Sequence, residues 1–331
     1  MRASLRDLLG SGRPLLADGA TGTNYFAMGL ESGDPPEFWV TDHPDRVVAL
    51  HQRFVDAGAD IILTDTFGCN RQRLKLHRAE HRVVELASGA ARLARSVADG
   101  ASRPVVVAGS VGPTGELFEP LGALTEDAAV ESFAEQIRGL VDGGADVAWI
   151  ETMSAPEEAR AAAKAAIQVG VDYVCTMSFD TAGRTMMGVQ PGALESVFAD
   201  LPVQPLAVGA NCGVGASDIL VSLLEMRGFS LPTVSKGNCG IPRFEGTSIR
   251  YSGTPELMAR YAAMAIDSGA AIVGGCCGTS PEHLAAMRGV LAAHVRGSAP
   301  TVDGIVAEIG PLTNSLPGAS PEGRRNRRRG G

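Results

Sequence analysis

The sequence predicts an α/β protein built as a (β/α)8 TIM barrel. Three observations carry that expectation. Eight short apolar runs recur along 331 residues, too few per run for helices and not alternating, as in strands buried on both faces. Ala- and Leu-rich segments with helical spacing lie between them. Finally, the unusual polar residues gather where a run ends and the next helix begins, which is where a barrel of this class keeps its chemistry.

The expected strands lie near residues 15–17, 60–64, 104–109, 147–150, 173–177, 205–208, 232–234 and 270–273. The main expected helices lie near 44–57, 79–98, 125–142, 156–168, 255–268 and 281–295. Their starts carry capping signals: Ser154 with Glu157 three residues on, Thr254 before Pro255, and Ser280 before Pro281. The phrase Ala57-Gly58-Ala59-Asp60 returns as Gly143-Gly144-Ala145-Asp146 and Ser268-Gly269-Ala270-Ala271. Each time a helix stops at glycine and a strand begins, the punctuation of repeated β/α units. A doubly wound dinucleotide-binding fold is disfavoured, because Asp18-Gly19-Ala20-Thr21-Gly22-Thr23 lacks the fingerprint's glycine spacing. The barrel is expected over residues 1–298. Residues 299–331 are rich in Pro, Gly, Asn and Ser and end in the basic tip Arg324, Arg325, Arg327, Arg328, Arg329; they read as a flexible tail.

Composition excludes several classes. A net charge of −8 does not suit a general nucleic-acid binder, which needs a basic face for phosphates. No stretch reaches the ~20 apolar residues of a membrane span. Met1 to Arg13 carries charge without the apolar segment of a secretory signal. Six cysteines in a chain this long, outside any disulfide-scaffold pattern, fit a reducing cytoplasm and point to metal ligands or core residues. No feature of the sequence specifies an oligomeric state.

The most informative stretch is Gly274-Gly275-Cys276-Cys277-Gly278-Thr279. Adjacent metal ligands need irregular backbone, and the flanking glycines supply it. A third glycine-flanked cysteine, Cys212 in Asn211-Cys212-Gly213, follows another apolar run. Three thiolates and one open position make a catalytic zinc site. The competing reading, small buried hydrophobes, suits Cys175 and Cys69. Cys239, in Lys236-Gly237-Asn238-Cys239-Gly240, also follows a strand and competes as a ligand on chemistry alone. Asp18 and Glu151, at the ends of the first and fourth strands, could receive an ammonium group, or could serve local caps and ion pairs. Lys236 opens a different class, the Schiff-base aldolases; its glycine-flanked position suggests an exposed side chain, whereas that chemistry needs a desolvated one.

Six ordered motifs between residue 15 and about 295 resemble the homocysteine S-methyltransferase family. They are Leu16-Ala17-Asp18-Gly19-Ala20-Thr21-Gly22-Thr23, Thr64-Asp65-Thr66-Phe67, Gly109-Ser110-Val111-Gly112-Pro113, Ile150-Glu151-Thr152-Met153, Gly209-Ala210-Asn211-Cys212-Gly213 and the cysteine-pair motif. The resemblance implies Zn2+ on Cys212, Cys276 and Cys277, and methyl transfer to the thiol of homocysteine. It implies that Asp18 and Glu151 hold the substrate's amino group and that the backbone at Gly19 and the Thr64–Thr66 stretch receives its carboxylate. It also sets Cys239 aside, since the family usually has alanine there, and places Asn238 at the edge of the site. A non-catalytic zinc barrel is the third reading, and the joint presence of Asp18, Glu151 and the cysteines speaks against it.

For the methyl donor, the sequence is most similar to the compact bacterial betaine branch of the family. No segment reads as a cobalamin-binding module or a second, folate-binding barrel, so a small onium donor is expected. Glycine betaine comes first, with S-methylmethionine or dimethylsulfoniopropionate as alternatives. Trp39 in Phe38-Trp39-Val40 is the expected cation–π face for the donor. Gly68 stands where vertebrate betaine enzymes carry a tyrosine, and their long dimerisation extension has no counterpart here.

Overall fold

The computed structural model describes residues 2–240, 242–245 and 248–313. Eight parallel strands form one sheet: β1 (Leu15–Leu16), β2 (Ile61–Leu63), β3 (Val106–Val111), β4 (Val147–Met153), β5 (Tyr173–Met177), β6 (Ala207–Cys212), β7 (Thr233–Gly237) and, after an antiparallel pair β8 (Pro242–Glu245) and β9 (Ser248–Tyr251), β10 (Ala270–Gly275). The order is β1-β10-β7-β6-β5-β4-β3-β2. A parallel bridge between Ala17 and Ile61 joins its two ends, supported by Asp18 N–H donating to the Ile61 carbonyl at 3.0 Å and Asp60 N–H to the Leu16 carbonyl at 2.7 Å. The sheet thus closes into the barrel that the sequence predicts, with every expected strand in place.

The apolar runs fail to alternate because both faces are buried. Leu15, Ala17, Ile61, Leu63, Val106 and Trp149 point into the barrel, where they form an inner core with Leu5 of the N-terminal helix Leu5–Gly10. The intervening residues Leu16, Ile62, Val107 and Ile150 face the surrounding helices in a second core. Helices Pro44–Asp56, Val83–Gly100, Glu126–Asp142, Pro156–Val169, Pro255–Asp267 and Pro281–Ala293 match the expected ones closely. Thr254 caps its helix by accepting from the Leu257 N–H, and Ser280 is the N-cap before Pro281.

Three expectations need correction. The helix after β4 has Ala155, not Ser154, at its N-cap, with no side-chain cap. β4 runs on to Met153, and Pro156, which lacks an N–H, sets the first turn. The hairpin β8–β9 was not expected at all. Lastly, the first part of 299–331 is not a loose tail. Thr301 caps a helix, Val302–Glu308, whose Ile305 is fully buried. Ser217 Oγ donates to the Gly310 carbonyl at 2.8 Å, and Asp218 accepts from the Thr313 N–H at 3.1 Å. The basic tip at Arg324 to Arg329 lies outside the described residues. Among those described, no helix is long and apolar enough to cross a membrane.

Candidate active site

The C-terminal ends of the strands open into one cavity of about 630 Å³, within the range of small-ligand sites. Its wall includes Gly19, Thr64, Glu151, Lys236 and all three cysteines of the glycine-rich motifs.

Cys212 is the last residue of β6 and has φ +61°, a left-handed conformation that costs energy for a residue with a Cβ. Cys276 and Cys277 follow β10. Their loop is tied by Cys276 N–H to the Gly237 carbonyl at 2.8 Å and by Cys239 N–H to the Cys277 carbonyl at 2.9 Å. Gly278 turns the chain away at φ +80°, and a Cβ there would collide with Tyr251. The three Sγ atoms lie within 4.8 Å of one another, with Cys212 and Cys277 3.8 Å apart. Four tetrahedral ligands at a Zn–S distance of about 2.3 Å place sulfurs about 3.8 Å apart, so the trio fits a zinc ion with one position left over. Hydrogen bonds from Cys212, Cys276 and Tyr251 pull the Cys277 thiol down to about 3, while its contacts with Cys276 and Cys277 push Cys212 up. Cys239 is buried outside the cluster, as are Cys69 and Cys175, and burial pushes the thiols of Cys239 and Cys175 upward.

Asn211 holds the neighbouring strand ends in register. Its Oδ1 accepts from the Thr152 N–H at 2.8 Å and from Thr176 Oγ1 at 2.7 Å; its Nδ2 donates to Thr152 Oγ1 at 2.7 Å. Thr152 needs that hold, since a β-branched residue at φ +62° is strained. The same Nδ2 lies 3.9 Å from Cys276 Sγ, within range of a weak hydrogen bond to sulfur.

Lys236 corrects the expectation of an exposed side chain. It is 2% exposed and bonds Asp18 Oδ1 at 2.9 Å. Burial alone would lower its pKa, but Asp18 and Glu151 beside it outweigh burial and hold it above the usual range. A lysine held protonated is not a Schiff-base nucleophile, so the aldolase reading fails on charge rather than on exposure. Asp18 is 1% exposed and sits behind the wall, its other oxygen accepting from the Leu63 N–H at 2.7 Å. Glu151 reaches the wall itself. Its Oε1 accepts from Ser110 Oγ at 2.5 Å, and burial pushes its carboxyl up to about 7.

Thr64 and Thr66 have spent their hydroxyls. Thr66 Oγ1 donates to the Ser110 carbonyl at 2.7 Å, the two hydroxyls share a 2.7 Å bond, and Thr64 Oγ1 accepts from the Ser110 N–H at 3.0 Å. What the stretch offers a ligand is backbone: the N–H groups of Gly19 and Asp65 have no hydrogen-bond acceptor among the described residues. Gly19 is confined to glycine, because a Cβ there would lie 2.5 Å from the Thr279 carbonyl oxygen. Asn238 is buried off the wall. Its Nδ2 donates to the Gly213 carbonyl at 2.8 Å and its Oδ1 has no partner.

Trp39 is not at the mouth. The turn and short helix over Pro36–Phe38 and Trp39–Asp42 tuck it into the outer core at 6% exposure. Its ring packs on Tyr25 at 4.7 Å, His43 meets its edge, and the Arg46 guanidinium lies 4.9 Å over it. The cation that Trp39 receives is the protein's own, and the expected donor-binding role falls.

The sequence profile of the homocysteine S-methyltransferase family matches residues 15–291. The chain belongs to that family. Over 298 residues it is 31% identical to the methionine synthase of Mycobacterium tuberculosis (strain ATCC 25618 / H37Rv), covering 85% of this chain and 25% of that protein. Over 305 residues it is 29% identical to the methionine synthase of Mycobacterium leprae (strain TN), covering 87% of this chain and 25% of that protein. The chain therefore spans about a quarter of the length of these relatives. Among solved structures, it superposes on the homocysteine methyltransferase MmuM of Escherichia coli. The oxidized form gives a TM-score of 0.74 at 24% identity, covering 86% of this chain and 98% of that one. The metallated form gives 0.73 at 23% identity, covering 86% and 99%. At that identity the likeness shows the fold the two share.

Proposed function

We propose that this chain transfers a methyl group to the sulfur of homocysteine, giving methionine, with Zn2+ held by Cys212, Cys276 and Cys277. The observation that carries the reading is the meeting of three thiols, at zinc spacing, with a cavity-facing carboxylate, Glu151. A catalytic barrel uses both, whereas a purely structural zinc site is closed by four protein ligands and needs no carboxylate in an adjoining cavity. The metallated form of MmuM is in keeping with it.

Zinc, when bound, supplies the charge that deprotonates a thiol placed at its open position; a free thiol has a pKa of about 8.5 and is mostly protonated at neutral pH. The chain's own groups orient the substrate. Glu151 receives the ammonium group, which returns its carboxyl to the ionised form. Asp18 acts from behind the wall by fixing Lys236, and its remaining lone pairs leave it able to share the ammonium. The N–H groups of Gly19 and Asp65 receive the carboxylate. Asn211 steadies Cys276 and the Thr152 backbone.

The donor is a small onium compound: glycine betaine, S-methylmethionine or dimethylsulfoniopropionate. The position of Trp39 removes the reason for ranking betaine first. A reducing cytoplasm, which keeps the three thiols free, is the compartment this chemistry requires. The test is methionine formation from homocysteine with each donor and with 5-methyltetrahydrofolate, on protein of known zinc content. No methionine from any donor, with zinc bound, would overturn the proposal.

A further inference from the structure

At the end of the barrel opposite the cavity, where the strands begin, three arginines crowd one carboxylate. Asp60 immediately precedes β2 and is 4% exposed. It accepts from the Leu16 N–H at 2.9 Å, which ties the starts of the first two strands. Arg13, two residues before β1, donates to both Asp60 oxygens, at 3.2 and 3.0 Å. Arg288, on helix Pro281–Ala293, donates to Asp60 Oδ2 at 2.5 Å and to the Gly58 carbonyl at 3.0 Å. It lies against Gly58, where a Cβ would come within 2.8 Å of its Cγ and Nε. Arg103, three residues before β3, gives Nη2 to the Val55 carbonyl at 2.8 Å. Its Nη1 stands 3.8 Å from Asp60 Oδ1, too far for a hydrogen bond, and is buried without a hydrogen-bond partner. Arg13 Nε, Arg103 Nε and Arg288 Nη1 also have no acceptor among the described residues.

The set carries three positive charges against one negative. Burial alone would raise the Asp60 carboxyl, but bonds from Arg13 and Leu16 and the charge of Arg288 hold it below the usual range, so its charge is already counted. Burial presses the pKa of Arg103 down; Asp60 opposes this, and the charges of Arg288 and Arg13 add to it. An arginine stays protonated regardless, so the repulsion persists. The carbonyls at the end of helix Pro44–Asp56 offset about half a charge. More than one positive charge is left over, in a chain of net charge −8. Asp146 shows what holding such an aspartate requires, because it ends the matching phrase Gly143-Gly144-Ala145-Asp146. It accepts from the Val107 N–H at 2.9 Å and is held by Arg2 at 2.8 Å and by Arg95, which also pairs with Asp99 at 3.2 Å. There two arginines meet two carboxylates and the charges balance. The Asp60 set does the same structural work with two charges to spare.

We propose that this surplus is an anion site, and that Arg13, Arg103 and Arg288 together bind a dianionic phosphate group, either as free inorganic phosphate or as the end of a small phosphate monoester. Guanidinium forks match phosphate oxygens in geometry as well as charge. A phosphate monoester has a second pKa of about 6 and carries nearly two charges at pH 7.5, which cancels the surplus. The three side chains are 47%, 34% and 27% exposed, so solvent reaches the set. The anion takes the N–H groups that have no acceptor, while Asp60 keeps its bonds to Arg13, Arg288 and Leu16. Because the site lies across the barrel from the cysteines, it does not depend on the proposed methyl transfer. A ligand bound there stabilises the folded chain by mass action.

The experiment is calorimetric titration of the full, zinc-loaded chain with inorganic phosphate at pH 7.5, with ionic strength held constant by sodium chloride. The expected result is one phosphate per chain, with a dissociation constant of about 1 mM or below. Arg13→Gln and Arg103→Gln should each weaken binding about tenfold or more, as loss of a charge-assisted bond does. Arg2→Gln, in the balanced Asp146 set, should leave it unchanged. Phosphate should raise the urea midpoint of the wild type more than that of Arg103→Gln. Methyl phosphate that binds as tightly as inorganic phosphate assigns the site to the phosphate end of a larger molecule; binding of inorganic phosphate alone assigns it to the free ion. Phenylglyoxal labelling of the wild type, mapped by mass spectrometry, needs no variant to fold: phosphate should protect Arg13 and Arg103 and leave Arg2 as reactive as before. Three results overturn the site. They are no saturable binding up to about 10 mM phosphate, binding unaltered in both variants, as attraction to the arginines at 324–329 would give, and protection no greater at Arg13 and Arg103 than at Arg2.

Discussion

Lys236→Met separates a structural pair from a surface-like one. In the native chain Lys236 and Asp18 are 2% and 1% exposed and 2.9 Å apart. Removing one partner of such a pair leaves a buried, uncompensated charge, at a cost of about 3–5 kcal/mol. A surface pair would cost about 1 kcal/mol or less. Asp18→Asn keeps an acceptor for the Leu63 N–H, so its cost isolates the lost charge. The double variant buries neither charge of the pair, and should therefore cost less than the two single variants added together, by roughly 2 kcal/mol. Urea unfolding at pH 7, followed by far-ultraviolet circular dichroism, gives all three values. A Lys236→Met cost near that of a surface pair, or strictly additive costs, would refute the claim that Asp18 exists here to hold Lys236.

Cys276→Ala should lose most bound zinc by metal analysis, while Cys175→Ala and Cys239→Ala should keep it, because only the first removes a sulfur from the trio. Trp39→Ala should destabilise the fold by about 3–5 kcal/mol, as large core truncations do, and leave the KM of donor and homocysteine alike unchanged; a selective rise in donor KM would restore the role that its burial denies it. His51 gives a pH test. It is buried on helix Pro44–Asp56, both ring nitrogens lack partners, and burial lowers its pKa to about 4. The unfolded histidine, with a pKa of about 6.5, takes up a proton first as pH falls, so stability is full above that value and declines toward pH 4, by roughly 3 kcal/mol in all. Urea midpoints at pH 7.5 and 4.5 should draw together in His51→Leu, and an unaltered acid limb would contradict this.

The barrel was legible because strands buried on both faces leave apolar runs such as Val106–Val107, and because polar residues gather at the strand ends, where a barrel of this class keeps its chemistry. The cysteine trio was legible because glycines surround it. The rest depended on contacts between distant residues. Lys236 meets Asp18 across 218 positions, and no local pattern marks the partner that buries it. Trp39 was assigned by its place after strand one, but the turn beginning at Pro36 directs it to Tyr25 instead. The β8–β9 hairpin carries Arg243, Glu245 and Arg250, which interrupt the apolar runs by which the other strands were found. The docking of residues 302–313 hangs on Ile305, with Ile309 packed against the same core, and on bonds to the helix Ala216–Glu225.

The central claim is that the three thiolates and Glu151 form one acceptor site for homocysteine. Calorimetric titration with L-homocysteine, in buffers of different ionisation enthalpy and on protein with and without zinc, tests it most directly. The expected result is one zinc per chain, one homocysteine bound, and about one and a half protons released at pH 7: about one from a thiol with a pKa of about 8.5 that must enter as thiolate, and about half of one from Glu151, whose carboxyl burial holds at about 7 until the ammonium arrives. Homocysteine that binds equally well without zinc, or without releasing a proton, would contradict it.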